Sequence, residues 1–325
     1  MKKVLIVLLI VALALPGWWF VAAASLERSQ ERWLAERRED GWQADAEVEV
    51  TGFPRGYTVT WRDVALADPE TGLSWQSPHF VIERPLETGR RLVAAWPDSQ
   101  SFDTPETGAS LESEGMRAEI ALGPAPEERF ERLALSAETL RVAPEDRGAW
   151  AIARLDASAE QDPEDPAAYA VTLSAAGIAP PRQIRGLPET LEAVSVEADI
   201  GFDRPWSMAA IEEARPQPRQ IDIARAEARW GELELLAAGR LAVDANGVPS
   251  GRVELKARNW REILAMGRES GALPEGLSRR LEDGLSLLAQ LSGNRQTLDV
   301  PLDFENGRVA LGPIPLGPAP RLVLR

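Results

Sequence analysis

The sequence predicts a mainly β protein of α+β type. It reads as a long, twisted antiparallel sheet, with helices packed on one face of its C-terminal half and one N-terminal transmembrane helix. Three observations predict it. An uncharged apolar run opens the chain. From Ala46 onward, apolar and polar residues alternate with the period of a half-buried strand. Near the C-terminus, two segments change to the three-to-four-residue spacing of a helix.

Met1-Lys2-Lys3 is a short positive start, and Val4 to Ala24 follows without a charge. A helix needs ~20 apolar residues to cross a ~30 Å hydrocarbon core, whereas the apolar part of a cleavable signal is ~7–15. Residues 1–24 therefore predict a retained single-pass anchor. Pro16 and Gly17 fall late in the run, where a membrane helix tolerates a kink. Trp18, Trp19 and Phe20 predict an aromatic membrane-interface belt on the exit side. Lys2 and Lys3 predict a cytoplasmic start, which places the protein in the inner membrane and its body in the periplasm. The rival reading is a cleaved signal peptide, for which Ala22-Ala23-Ala24 supplies small residues. Against it, Ser25 to Arg38 continues as a helical pattern, with Leu26, Trp33 and Leu34 on a narrow apolar stripe. Residues 25–42 predict a solvated stalk helix, with a partner-binding helix as the sharper alternative. On this geometry Phe53 and the first strands sit nearest the lipid.

Residues 43–325 predict the β-rich body. Ala46, Val48 and Val50 alternate with acids, then Tyr57, Val59 and Trp61 alternate. Val64 and Leu66 take the opposite phase, which predicts a β-bulge near Arg62-Asp63. Phe80 and Ile82 mark a short strand, and Met116, Ala118, Ile120 and Leu122 a clean one. Leu133–Leu135, Leu140–Val142, Tyr169–Leu173 and Val194–Phe202 continue the pattern. The clearest hairpin joins Leu233–Val243 to Val253–Ala257 through Asp244-Ala245-Asn246-Gly247, with Asn-Gly supplying positive φ. Such alternation describes an antiparallel sheet with one wet face, since buried parallel strands read as continuous apolar runs. Gln161 to Pro166 is acidic and proline-rich and Pro180-Pro181 follows, so any subdivision of the body falls near 160–188.

Asn259 is placed to cap a helix from Trp260 to about Ser270. Pro274 opens another through Leu277, Leu281, Leu285, Leu288 and Leu291, and Gly293 is a natural stop. Leu298 to Phe304, the turn Glu305-Asn306-Gly307 and Val309-Leu311 complete the sheet. Pro313, Pro315, Pro318 and Pro320 preclude a central strand, so the tail is an extended edge or polyproline segment. Gly52-Phe53-Pro54-Arg55-Gly56 is a turn with glycines for special φ and an aromatic anchor.

Composition excludes several functions. Of 325 residues, 44% are apolar, enough for a sizeable core. The net charge of −15 argues against a nucleic acid partner. The absence of cysteine removes disulfides, thiolate nucleophiles and cysteine metal sites. His79 is the only histidine, and no nucleophile elbow, zinc-protease, Walker or dinucleotide motif occurs. No catalytic residue, cofactor or metal is therefore predicted. Asp162, Glu164 and Asp165 read as a solvated loop in preference to a calcium site.

The Lys-led anchor, the segment ending Glu39-Asp40-Gly41-Trp42, the Gly52-Phe53-Pro54 turn, the block Ala67 to Leu73 with Trp75, and the Gly312-to-Pro320 tail resemble one family. It is an uncharacterised alphaproteobacterial domain of unknown function, and the resemblance spans nearly the whole chain. It implies no activity and no functional residues. The strand–turn–strand rhythm around Asn246-Gly247 is similar to AsmA-like envelope proteins, a likeness that implies curved sheets with an apolar groove and a link to lipid transport. Three functions stand open: a non-enzymatic envelope protein handling lipid or acyl chains on its sheet, an interaction scaffold for another envelope protein, and, last, a carboxylate-based hydrolase.

Overall fold

The computed structural model describes residues 2–88, 90–146, 148–181, 184, 186, 189–213, 215–291 and 296–324, and of residues 2–17, 212, 213 and 291 the backbone only. Among the described residues, four helices and eighteen strands form, and every strand belongs to one antiparallel sheet.

Helix α1 (Lys2–Glu39) leads into β1 (Gln43–Thr51), β2 (Gly56–Ala67) and β3 (Ser74–Pro85), which pair in that order. The ladder then divides. One half of β3 pairs β4 (Arg91–Ala95) and the other pairs β5 (Ser99–Asp103). The two tracks continue through β7 (Arg117–Leu122) to β8 (Phe130–Ala137), and through β6 (Gly108–Glu114) to β9 (Thr139–Pro144). Both rejoin on β10 (Trp150–Gln161). A plain meander follows: β11 (Ala168–Ala179), β12 (Leu191–Phe202), β13 (Pro218–Trp230), β14 (Leu233–Val243), β15 (Pro249–Arg258), β16 (Thr297–Glu305), β17 (Arg308–Leu311) and β18 (Ile314–Pro318). Short α2 (Met208–Glu213) lies between β12 and β13. Helices α3 (Trp260–Glu269) and α4 (Glu275–Leu291) lie between β15 and β16.

The sheet is one-sided because its strands alternate. Directly opposite residues in an antiparallel pair share a face. Cross-strand ion pairs such as Arg62–Glu49 (2.6 Å), Arg132–Glu160 (2.8 Å) and Arg252–Asp303 (2.6 Å) occupy the polar face. They are half exposed, so each is worth ~0–1 kcal/mol. Their main effect is to keep that face wet.

The other face is apolar and covered at its two ends. At one end Leu34 of α1 packs with Ala44, Val59, Trp61 and Val64, and Leu26 and Trp33 pack against them. At the other, Leu281, Leu285 and Ala289 of α4 and Trp260 of α3 cover Ala257, Leu298, Val300 and Ile314. The second cluster follows from the leucine spacing. The first differs from the solvated stalk expected for residues 25–42, because Leu34 is only 2% exposed. The narrow Leu26–Trp33–Leu34 stripe is a packing face for β1 and β2.

Local details match the sequence where chemistry is local. Between Arg62 and Ala65, β2 places Asp63 and Val64 against the single Ala46 of β1, a bulge carried by Asp63 at φ 49°. Asn306 and Gly307 both take positive φ, as a two-residue hairpin requires. Asn259 differs: it sits in the left-handed region, makes no side-chain cap, and its side-chain Nδ2 donates to the Glu232 carbonyl (3.0 Å). The expected helix stop Gly293 lies outside the described residues. The anchor expected over Val4 to Ala24 falls largely on residues whose side chains are outside the description. Among the described residues, no helix is long and apolar enough to cross a membrane.

Candidate functional site

The turn between β1 and β2 is closed by Gly52, at φ 109°, whose carbonyl accepts from the Arg55 and Gly56 amides (3.0 and 3.1 Å). The Phe53–Pro54 peptide is cis. A Cβ on Gly56 would stand 2.5 Å from the Arg84 carbonyl oxygen, so only glycine allows β2 to approach β3 this closely. The Leu86 amide donates to the Arg55 carbonyl (2.9 Å) and fastens the β3–β4 turn beside it.

Trp19 docks α1 onto this turn. Its indole N–H donates to the Gly56 carbonyl (3.0 Å). Its ring stacks on Tyr57 (5.6 Å, 5°) and meets Phe53 edge-on (5.4 Å), while Phe20 stacks on Phe53 (6.1 Å, 19°). The two motifs singled out in the sequence, Trp18-Trp19-Phe20 and Gly52-Phe53-Pro54-Arg55, are thus one structural unit. They do not act alike. Trp19 is 6% exposed and serves the junction, whereas Trp18 (66%) and Phe20 (62%) face outward. Phe53, Leu86 and Val21 are exposed around them.

Below the junction, a cleft of about 470 Å³ separates α1 from the sheet. Ala22, Leu26, Val59, Ile82, Leu86 and Leu92 supply apolar walls, and Tyr57, Gln30 and Arg84 the polar groups. The Tyr57 hydroxyl is buried and has no hydrogen-bond partner among the described residues. A concave apolar site with a few polar groups is the usual form of a small-ligand pocket.

The cleft opens onto the sheet's apolar face, where one cross-strand row runs without a polar interruption. Val50 lies opposite Val59, then Ile82, Ala94 and Ala118 follow strand by strand. Leu135, Ala157, Leu173 and Val196 come next. Ala226, Ala237, Leu255 and Val300 complete it. At ~4.8 Å per strand the row is on the order of 55 Å long. Val59 lies under α1 and Val300 under α4, while the residues from Ala118 to Ala237 are half-buried and belong to neither covered cluster.

Other singled-out residues lie elsewhere. Ile314 of β18 is buried under α4, while Pro313, Pro315 and Pro318 are exposed along the edge. His79 is exposed on β3. The Asp162 carboxylate accepts from the Glu164 amide (2.7 Å), closing its own loop. Among the described residues, no three His, Cys, Asp or Glu side chains form a metal-sized group. Sequence reasoning missed Leu86, Leu92, Arg84 and the Tyr57 hydroxyl. Only Tyr57 carried a signal, as an aromatic directly after the Gly52–Gly56 turn.

Such a fold and site define a one-sheet β protein with an apolar row leading from a helix-covered cleft. Residues 19–320 match the model of a family described as an uncharacterized protein conserved in bacteria (DUF2125), and the chain belongs to that family. No curated protein and no solved structure matches it.

Proposed function

We propose that the protein is a non-enzymatic, membrane-anchored component of the bacterial cell envelope that receives a lipid acyl chain on the apolar face of its sheet. The unbroken row from Val50 to Val300 carries this reading. An apolar path of that length with a half-buried middle matches a flexible hydrocarbon chain better than it matches a compact ligand. The uncharged run Val4 to Ala24 supports the anchor in the inner membrane, and the lysines before it support a periplasmic body. The likeness to AsmA-like envelope proteins belongs to the same reading.

Photocrosslinking tests it. The full chain is reconstituted in vesicles containing a phospholipid with a diazirine on its acyl chain. Adducts are expected on β8, β10, β11 and β12, and Leu173→Asp with Val196→Asp should remove them. Adducts confined to residues 1–24 would sink the proposal.

A further inference from the structure

The exposed apolar residues of this chain are not scattered at its N-terminal end. Trp18, Phe20 and Val21 of α1, Phe53 of the β1–β2 turn and Leu86 of the β3–β4 turn are all exposed. Phe20 stacks on Phe53, and the Leu86 amide is bonded to the Arg55 carbonyl, so three chain segments form one tip. Exposed apolar residues gathered in this way mark an interaction surface, whereas single ones need no explanation. The uncharged run Val4 to Ala24 passes through the tip, with Trp18, Phe20 and Val21 among its last seven residues. A bilayer holding that run comes to the tip without any further partner. The β1–β2 turn carries Arg55 and no acid, which suits an anionic head-group layer, and in the β3–β4 turn Glu87 is balanced by Arg90.

We propose that the β1–β2 and β3–β4 turns enter the interfacial layer of the bilayer. They form, with Trp18 and Phe20, a second membrane contact beside the anchor. The cleft between α1 and the sheet then opens at lipid level, since Leu86 belongs to both tip and cleft wall. This inference rests on the anchor in the proposed function and is independent of where an acyl chain binds.

The cysteine-free sequence permits single spin labels on the full chain, reconstituted in phosphatidylethanolamine–phosphatidylglycerol vesicles. Labels are placed by Phe53→Cys and Leu86→Cys at the tip, Glu70→Cys at the opposite end of β2, and Leu8→Cys in the anchor. Power saturation with oxygen and with a water-soluble nickel complex reads depth. Labels 53 and 86 should be shielded from nickel and reached by oxygen, with label 70 showing the reverse and label 8 the deepest position. Label 8 in lipid with labels 53 and 86 as accessible to nickel as label 70 would overturn this inference alone. Label 8 in water would overturn it together with the anchor. Spin–spin broadening between labels 53 of two chains would put a second copy on the tip and overturn it as well.

Discussion

Trp19 carries three contacts at once: the indole hydrogen bond to Gly56, the stack on Tyr57 and the edge contact with Phe53. Trp19→Ala should destabilise the docking of α1 by about 3 kcal/mol, through lost burial and the cavity it leaves. Trp19→Phe keeps a ring but loses the donor, and should cost about 1 kcal/mol. Protease cleavage between α1 and β1 is the measurement, with the alanine variant cut fastest; equal rates would show that the junction does not hold the helix. Gly56→Ala should behave like Trp19→Ala although it removes nothing, since its Cβ meets the Arg84 carbonyl. Little of this was legible beforehand. The aromatic triplet and the glycine–proline turn stood out as motifs, but their contact spans 37 positions, and no local rule joins them.

At the scale of single elements, the β14–β15 hairpin has a built-in pH dependence. Asp244 accepts the amides of Val248 and Asn246 (both 2.8 Å). The Val248 bond first, then the Asn246 bond, hold its carboxyl below the ordinary value of 3.8. A depressed value means that the hairpin's extra stability is complete above 3.8 and is lost as pH falls through the folded value. The Val248 amide resonance should titrate with a midpoint below 3.8, and Asp244→Asn should abolish the titration. A midpoint at or above 3.8 would refute the assignment. This hairpin, the Asn306-Gly307 turn and helices α3 and α4 were legible because their signals are short-range. Strand β10 was not, because its apolar face is mostly alanine, a weak strand former. Strand β3 extends well beyond the short strand expected at Phe80 and Ile82; its first half is hidden because Gln76, Ser77, Pro78 and His79 interrupt the apolar pattern. Pro78 stands across from Asp63 and between the two parts of β3 that pair β5 (Ser74–Gln76) and β4 (Val81–Glu83), where no ladder partner lies on that side.

Over the whole molecule, the apolar face should respond unevenly to charge. Val300 is buried under α4, so Val300→Glu places a carboxylate without a partner in a packed core, at a cost of about 4 kcal/mol. Val196→Glu, midway along the same row, should cost about 1 kcal/mol. Denaturant unfolding compares them, and equal losses would show that the middle of the face is covered after all. The sheet and its wet face were legible from period-two alternation, since that pattern is the fold's repeating unit. The row itself was not, because register between strands depends on bulges and turns that accumulate across the chain. One further consequence lies in the order of the pairings. From β10 to β18, each strand pairs with the one made just before it. Such a meander can grow by one strand at a time, with short connections at every step except β12–β13 and β15–β16, where helices intervene. The stretch from β3 to β10 lacks this freedom, because β4 must wait for β7 and β6 must wait for β9. Folding of this protein is therefore expected to be held up early, between β3 and β10, with the later strands added in sequence.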